Sequence, residues 1–315
     1  MTSPATGAAA GTAVRPRWDQ LPAPLREHLT ARLGDITQAQ VQTGGFTPGL
    51  AARLRLADGD RVFVKGISAD HPLAGRYRDE ARVVRALPTA VPAPRLRWDE
   101  EIAGWTVLAF DDVNGRHADL APGSPDVDTV VETVARLAAA LTPCPVPDVP
   151  DAGAELADLV HGWRELAASP APPADPWIRR NLPRLTDTET AWLSAADGDT
   201  LLHGDINRTN LLITAGRAML VDWGQPVRGA AWIDVADLMP HLILAGHTPA
   251  AAEAAVTQAL DVAGATPEAI TSYAVAFAGY WARTSRLPAP RGVPHLRAHQ
   301  ARAARAATAW VAHRT

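Results

Sequence analysis

Leu201-Leu202-His203-Gly204-Asp205-Ile206-Asn207-Arg208-Thr209-Asn210-Leu211-Leu212, followed nine residues on by Val221-Asp222-Trp223-Gly224, is the stretch that decides how this chain folds. Two polar clusters stand here, each bracketed by short apolar runs of strand character: Leu201-Leu202, Leu211 to Ile213, and Met219 to Val221. The apolar runs predict strands that carry a loop between them, then a hairpin. Such a hairpin returns the chain, so that Asp222 comes back to face the loop bearing Asp205 and Asn210.

An Asp on a loop, an Asn five residues later and a second Asp at the end of a hairpin meet the needs of phosphoryl transfer. That chemistry takes a carboxylate beside an attacking hydroxyl and oxygen ligands that hold Mg²⁺ on phosphates. Taken alone, His203-Gly204-Asp205 is an Asp-containing turn and Asn210 a turn residue; it is the combination, flanked by strands, that points to the chemistry.

The segment resembles the catalytic and metal loops of the aminoglycoside phosphotransferase-like kinases, relatives of protein kinases and of choline and homoserine kinases. In that family the pattern is His-Gly-Asp, four residues, Asn, then Ile/Val-Asp-Trp/Phe. Gly229 and Asp234, spaced Gly-x-x-x-x-Asp before a helix, match a further element of the family that braces the catalytic loop. The resemblance implies that Asp205 orients or deprotonates the acceptor hydroxyl. It also implies that Asn210 and Asp222 bind Mg²⁺, and that His203 and Asp234 support the site. One departure stands out: many members carry His-Pro where this chain has Asn207-Arg208.

Working outward, Lys65 closes the strand Val62-Phe63-Val64-Lys65, the kinase arrangement in which a lysine contacts the α- and β-phosphates. It is the single lysine among 30 basic residues. A chain that otherwise uses arginine keeps lysine where a planar guanidinium will not serve. Its expected partner is Glu80 on the next helix; Asp79 and Glu80 lie on different faces, so one of them turns inward. Thr43-Gly44-Gly45-Phe46-Thr47-Pro48-Gly49 breaks the first two strands, and Gly44 and Gly45 let backbone amides approach phosphate oxygens. By the resemblance, Phe110, Asp111 and Val113 mark the interlobe hinge, where backbone groups of Asp111 and Val113 meet the adenine edge.

The pattern predicts a small antiparallel β-rich N-lobe and a larger helical C-lobe, and the resemblance implies that this α+β, two-lobed arrangement is the protein-kinase-like fold. Residues 1–15, rich in Ala, Gly, Thr and Ser, read as a disordered tail, 16–112 as the N-lobe and 113–315 as the C-lobe. Strands are expected at Ile36–Gln42, Ala51–Leu56, Arg61–Lys65, Arg95–Trp98 and Trp105–Phe110, with helices at Leu21–Leu33 and Leu73–Leu87. Val127–Leu141, Ala154–Ala167 and Thr188–Ala195 read as helices, and four more follow from Trp232.

Composition sets the remaining bounds. Net charge is −4, too mild to make nucleic acid or an anionic membrane the partner. Seven arginines and no acid lie beyond Ala269, leaving 23 basic against 34 acidic residues elsewhere, and they read as a solvated basic face on a terminal helix. Cys144 stands alone, so no disulfide forms within the chain. With no apolar run of 18 residues and no secretory signal, a cytoplasmic location is expected. There is no Gly-x-x-x-x-Gly-Lys-Ser/Thr for a Walker-type NTPase, no Gly-x-Ser-x-Gly and no His-Glu-x-x-His. The expected partners are ATP, Mg²⁺ and a small hydroxylated acceptor. That acceptor is an antibiotic or related natural product, or else choline, homoserine or a sugar; a kinase-fold protein that binds without catalysing is the reading from another class. The basic end of the chain favours an acceptor less cationic than an aminoglycoside, although Asp126, Asp128, Asp234 and Asp237 are acids available to line a pocket.

Overall fold

The computed structural model describes residues 13–171 and 173–315, which divide into two compact units. The first comprises the chain to Arg85, Pro94–Asn114 and Ala289–Leu296; the second holds Ala86–Ala93, Gly115–Pro288 and Arg297–Thr315. Residues 1–12 of the expected tail lie outside the described residues. Its last two residues are held: the Val14 N–H donates to the Gly292 carbonyl, and Arg15 bonds two glycine carbonyls.

In the first unit, β1 (Ile36–Val41), β2 (Leu50–Leu56), β3 (Arg61–Ser68), β4 (Leu96–Ile102) and β5 (Trp105–Asp111) form one antiparallel sheet in the order β1-β2-β3-β5-β4. Alternation along the strands gives the sheet two apolar faces. Leu50, Ala52, Leu54, Val62, Val64, Val107 and Ala109 meet α1 (Ala23–Leu33) through Leu25 and Leu29. Ile67, Leu108 and Phe110 meet α2 (Ala74–Ala86) through Ala74, Tyr77 and Ala81. Lys65 has the parity of Phe63 and Ile67, and so stands on the α2 face.

The second unit begins with β6 (Arg116–His117) and α3 (Asp126–Ala140). The expected helix at Ala154–Ala167 is broken instead: α4 (Ala152–Glu155) and α5 (Gly162–Ala168) are separated by a 3₁₀ stretch, Leu156–His161. The sequence also hides α6 (Pro176–Thr188), whose internal Pro183 obscures the helical period; Ala191–Ala195 is only a 3₁₀ turn. Asp175 caps α6, accepting the N–H groups of Trp177 and Ile178. Then β7 (Thr200–Leu202), β8 (Leu211–Thr214), β9 (Arg217–Leu220) and β10 (Val227–Gly229) build two small sheets, β10-β7 and β6-β8-β9. Four helices end the chain: α7 (Trp232–Leu244), α8 (Pro249–Val262), α9 (Pro267–Thr284) and α10 (Leu296–Arg314). Trp163, Trp192, Trp223, Trp310 and Tyr273 are buried in this unit, and every residue of α7 from Trp232 to Pro240 is buried.

The terminal arginines are not all a solvated face. Arg283 pairs with Glu165 at 2.7 Å, Arg314 pairs with Glu253, and Arg286 and Arg297 donate to the carbonyls of Ala171 and Pro288. These contacts brace helix ends within the unit. Among the described residues no helix is long and apolar enough to cross a membrane.

Candidate active site

Asp205 lies on the loop that leaves β7. Antiparallel pairing of Leu202 with Val227 fixes where that loop starts. Gly204 follows with φ +71°, and a Cβ there would overlap the Gln225 carbonyl, so the chain needs glycine to turn here. His203 is fully buried: its Nδ1 accepts the Asp205 N–H at 3.3 Å, so Nε2 carries the proton and donates to the Val221 carbonyl at 3.1 Å. Its ring packs on Trp223 at 4.7 Å between centroids. One side chain thus ties the loop of Asp205 to the segment of Asp222.

The Asp205 carboxylate is held by two side-chain amides. Asn210 Nδ2 donates to Oδ2 at 2.9 Å, and Asn207 Nδ2 donates to Oδ1 at 2.9 Å. Asn207, the departure from the His-Pro pattern, also caps the 3₁₀ turn Arg208–Asn210 by accepting the Thr209 N–H at 2.8 Å. Arg208 donates to the Ala118 carbonyl. Because Nδ2 of Asn210 is turned to Asp205, its Oδ1 is the atom it can present to a cation.

The β8–β9 hairpin brings Asp222 alongside. Leu211 pairs with Leu220, and the Val221 N–H donates to the Asn210 carbonyl at 3.0 Å. Ala215 and Gly216 form the two-residue turn, both with positive φ, 47° and 73°, as a turn that matches strand twist requires. Asp222 itself has φ 69° and an exposed side chain. The Asp222 carboxylate and the Asn210 amide oxygen, on segments joined by that backbone bond, are hard-oxygen donors of the kind Mg²⁺ takes together with phosphate and water. Among the described residues no cluster of three His, Cys, Asp or Glu side chains could hold a metal by itself.

Behind the loop, Asp234 on α7 accepts the N–H groups of His203 at 2.8 Å and Gly204 at 3.1 Å. Burial pushes its carboxyl up to about 6, against those two hydrogen bonds. One turn on, Asp237 accepts the Tyr273 hydroxyl at 2.6 Å, and burial, with Asp234 and Asp205 nearby, raises its carboxyl well above the ordinary range. Farther along, burial pushes His241 down to about 4. Of the acids available for a pocket, Asp126 is taken up by Arg116 and the Asp119 N–H.

In the first unit, Lys65 Nζ meets Glu80 Oε2 at 2.6 Å, with side chains 13% and 4% exposed. Asp79 turns the other way and pairs with Arg82 at 3.2 Å. The Lys65 ammonium also lies 5.4 Å from the Tyr77 ring centre. Gly44 and Gly45 lie in the turn between β1 and β2, Gly45 with φ +84°. Phe110 packs its ring into the α2-side core, so only its backbone is available to a ligand. The Asp111 N–H donates to the Arg95 carbonyl, and Val113 offers its carbonyl to Arg53 at 2.7 Å. Between them Asp112, its carboxylate 1% exposed, sits against Arg53 at 3.0 Å and Arg61 at 2.9 Å.

Asn207, Asp237 and the Asp112–Arg53–Arg61 cluster carry geometry that sequence reasoning missed. The last had a legible trace, since Arg53 and Arg61 stand on the neighbouring strands β2 and β3, Arg53 two residues from Arg55, the register partner of Arg61. For Asp237, three residues after Asp234, the trace is helical spacing alone.

The family model described as the phosphotransferase enzyme family (APH) matches residues 45–261. None of the curated proteins matches the chain in sequence. Solved structures of the same fold include an aminoglycoside phosphotransferase from Alicyclobacillus acidocaldarius subsp. acidocaldarius DSM 446. It is 15% identical over 89% of this chain and 92% of its own, with a TM-score of 0.57. The choline kinase LicA from Streptococcus pneumoniae is 14% identical over 90% and 97%, with a TM-score of 0.62. The macrolide 2'-phosphotransferase MphH from Brachybacterium faecium is 18% identical over 90% and 95%, with a TM-score of 0.54. The fold is therefore the α+β, two-lobed protein-kinase-like one.

Proposed function

Because the chain belongs to the phosphotransferase enzyme family, we propose that it moves the γ-phosphate of ATP to a hydroxyl of a small molecule, an antibiotic or related natural product. The observation that carries this reading is the Asp205 carboxylate, fixed through both oxygens by Asn207 and Asn210 while its loop is pinned from below by Asp234. A carboxylate so held has one rotamer to offer an incoming hydroxyl.

In the reaction the acceptor oxygen bonds to the γ-phosphorus as the bond from that phosphorus to the β–γ bridging oxygen breaks. The hydroxyl proton goes to an Asp205 oxygen. Lys65 sets its ammonium on the α- and β-phosphate oxygens, and Glu80 holds it in that position. Asn210 Oδ1 and the Asp222 carboxylate would hold Mg²⁺, which when bound neutralises charge on the phosphates. Backbone groups of Asp111 and Val113 receive the base, on a segment that Arg53 and Arg61 fix through Asp112.

The test pairs an ATP-consumption screen over hydroxylated antibiotics, choline, homoserine and sugars with an Asp205→Asn variant. The expected result is turnover on an antibiotic-class acceptor that falls about 10²–10⁴-fold in the variant, the usual worth of a positioned acid/base group. ADP binding should be kept. Turnover confined to choline, homoserine or a sugar would make the enzyme a metabolic kinase. Nucleotide binding without turnover on any acceptor would make it a binding protein, and near-wild-type turnover in the variant would remove Asp205 from the centre of the reaction.

A further inference from the structure

Thr43–Gly49 join β1 to β2. A turn that cradles phosphate aims N–H groups at the ligand, so its carbonyls need partners elsewhere. The chain ahead of α1 supplies them. Arg15 Nη2 donates to the Gly44 carbonyl at 2.8 Å, and Nη1 donates to the Gly49 carbonyl at 3.0 Å. One planar guanidinium therefore spans the turn from its first glycine to its last.

The turn is shaped to receive it. A Cβ at Gly45 would sit 3.0 Å from Arg15 Nη2, and one at Gly49 would lie 2.6 Å from the Tyr77 hydroxyl and overlap the Gly66 carbonyl. The chain that bears Arg15 is itself fixed at both ends. On one side the Val14 N–H donates to the Gly292 carbonyl at 2.8 Å, and a Cβ at Gly292 would already touch Pro48, at the far end of the same turn, at 3.4 Å. On the other, Leu21, Leu25 and Leu29 bury the start of the chain's first helix against the sheet. Arg15 thus reaches the turn from a segment already ordered, and little further entropy is lost in making the two bonds.

We propose that Arg15 is a positioning residue for the phosphates of the donor nucleotide. It holds the Gly44 and Gly49 carbonyls on the side away from the ligand, keeps the N–H groups of the turn directed at phosphate, and adds a fixed positive charge beside them. Arginine suits the task because two carbonyls at the two ends of a turn need two donors in one rigid plane, which an ammonium on a flexible stem does not provide. The proposal rests on the reading of this turn as part of the donor-nucleotide site.

The experiment uses the full chain with Arg15→Ala and Arg15→Lys, and needs no acceptor. ADP with Mg²⁺ is titrated by calorimetry, amide hydrogen exchange is followed over residues 43–49, and each variant is melted to check folding. Arg15→Ala is expected to weaken ADP about tenfold. It should also speed exchange across Gly44–Gly49, with the exchange of β2, β3 and β5 unchanged. Arg15→Lys should recover part of the affinity, since it restores the charge without the fork. With an acceptor supplied by the screen above, kcat/KM for ATP should also fall more than kcat. An Arg15→Ala chain that folds, binds ADP as the wild type does and exchanges residues 43–49 at the wild-type rate would overturn the proposal and leave the donor site standing. Faster exchange with unchanged ADP affinity would overturn it too, leaving Arg15 as a brace of the fold. Should Arg15→Ala not fold, Arg15→Lys decides by the same two readouts. A wild-type chain that binds neither ADP nor GDP would sink the donor-site reading, and this proposal with it.

Discussion

A single side chain can be tested for what its geometry asks of it. Asn207 ties one oxygen of Asp205 and, through its own carbonyl oxygen, caps the turn that carries Asn210. Hydrogen bonds to a charged group are worth roughly 1.5–3 kcal/mol. Asn207→Ala should therefore lower kcat about 10- to 100-fold at 1.36 kcal/mol per tenfold, with KM for ATP little changed. Steady-state kinetics separates the two, and a change confined to KM would place Asn207 outside the catalytic loop's work. Lys65 makes the complementary case. Its ammonium occupies a gap of 2.6 Å from Glu80 beside the Tyr77 ring. Lys65→Arg should fold, as a melting curve will tell, yet lose most activity, because the wider fork displaces either the phosphates or the helix bearing Glu80. Full activity would remove Lys65 from the phosphate site and leave its pair with Glu80 as a brace between sheet and helix. Of the residues legible in the sequence, Asp205, Asn210 and Asp222 sit next to the ends of short apolar strands, where a polar residue interrupts a clear pattern; Lys65 does not close its strand as expected, because β3 continues to Ser68 through its pairing with β5. Asn207 was visible only as a departure, since its bond to a residue two positions back depends on backbone angles that no spacing reveals. Arg15 was hidden by distance: 34 residues separate it from Gly49.

At the scale of elements, legibility followed punctuation. The β2–β3 hairpin with Asp58-Gly59-Asp60, and the five strands of the first sheet, announce themselves through alternation between glycines. Helix α6 does not, because Pro176 and Pro183 mimic a linker although Asp175 caps it and Pro176 fills a first-turn position that needs no N–H. Strands β6 and β10, of two and three residues, are too short to show any period and exist because β8 and β7 offer them edges. The β8–β9 hairpin carries a prediction of its own. Ala215 occupies the first position of its turn with φ 47°, a conformation that asparagine and glycine tolerate better than alanine. Ala215→Asn should raise stability by about 1 kcal/mol, the order of the strain held by a non-glycine residue in that region. Urea unfolding checks it. Since the same hairpin sets Asp222 beside Asn210, activity should be kept; a less stable variant would mean that another contact of Ala215 matters more than its backbone.

For the molecule as a whole, α7 couples stability to pH in two opposed directions. Asp234, which braces the catalytic loop, is raised by burial to about 6, whereas His241, two turns along the same helix, is lowered by burial to about 4. Between about pH 4 and 6 the folded state binds more protons at Asp234 than the unfolded chain does, so this group makes stability fall as pH rises. His241 binds fewer protons folded than unfolded between about 4 and 6.5, so it makes stability rise with pH across nearly the same window. Each amounts to something on the order of 3 kcal/mol at 1.36 kcal/mol per pKa step; in the intact protein the two slopes oppose each other, and the raised carboxyl of Asp237 acts in the direction of Asp234. Removing one should unmask the other. Relative to wild type, Asp234→Asn should gain stability steadily as pH goes from 4 to 6 and hold level above 7, because the variant never bears the ionised buried carboxylate. The loss of its two backbone hydrogen bonds only offsets that curve by a constant. His241→Gln should behave in reverse, with its advantage over wild type greatest near pH 4 and gone by about 6.5. Urea midpoints of the three proteins at pH 4, 5, 6 and 7 supply both difference curves. If both are flat, neither group titrates in the folded state where burial on α7 places it, and the helix that carries the catalytic brace is wetter than its packing implies.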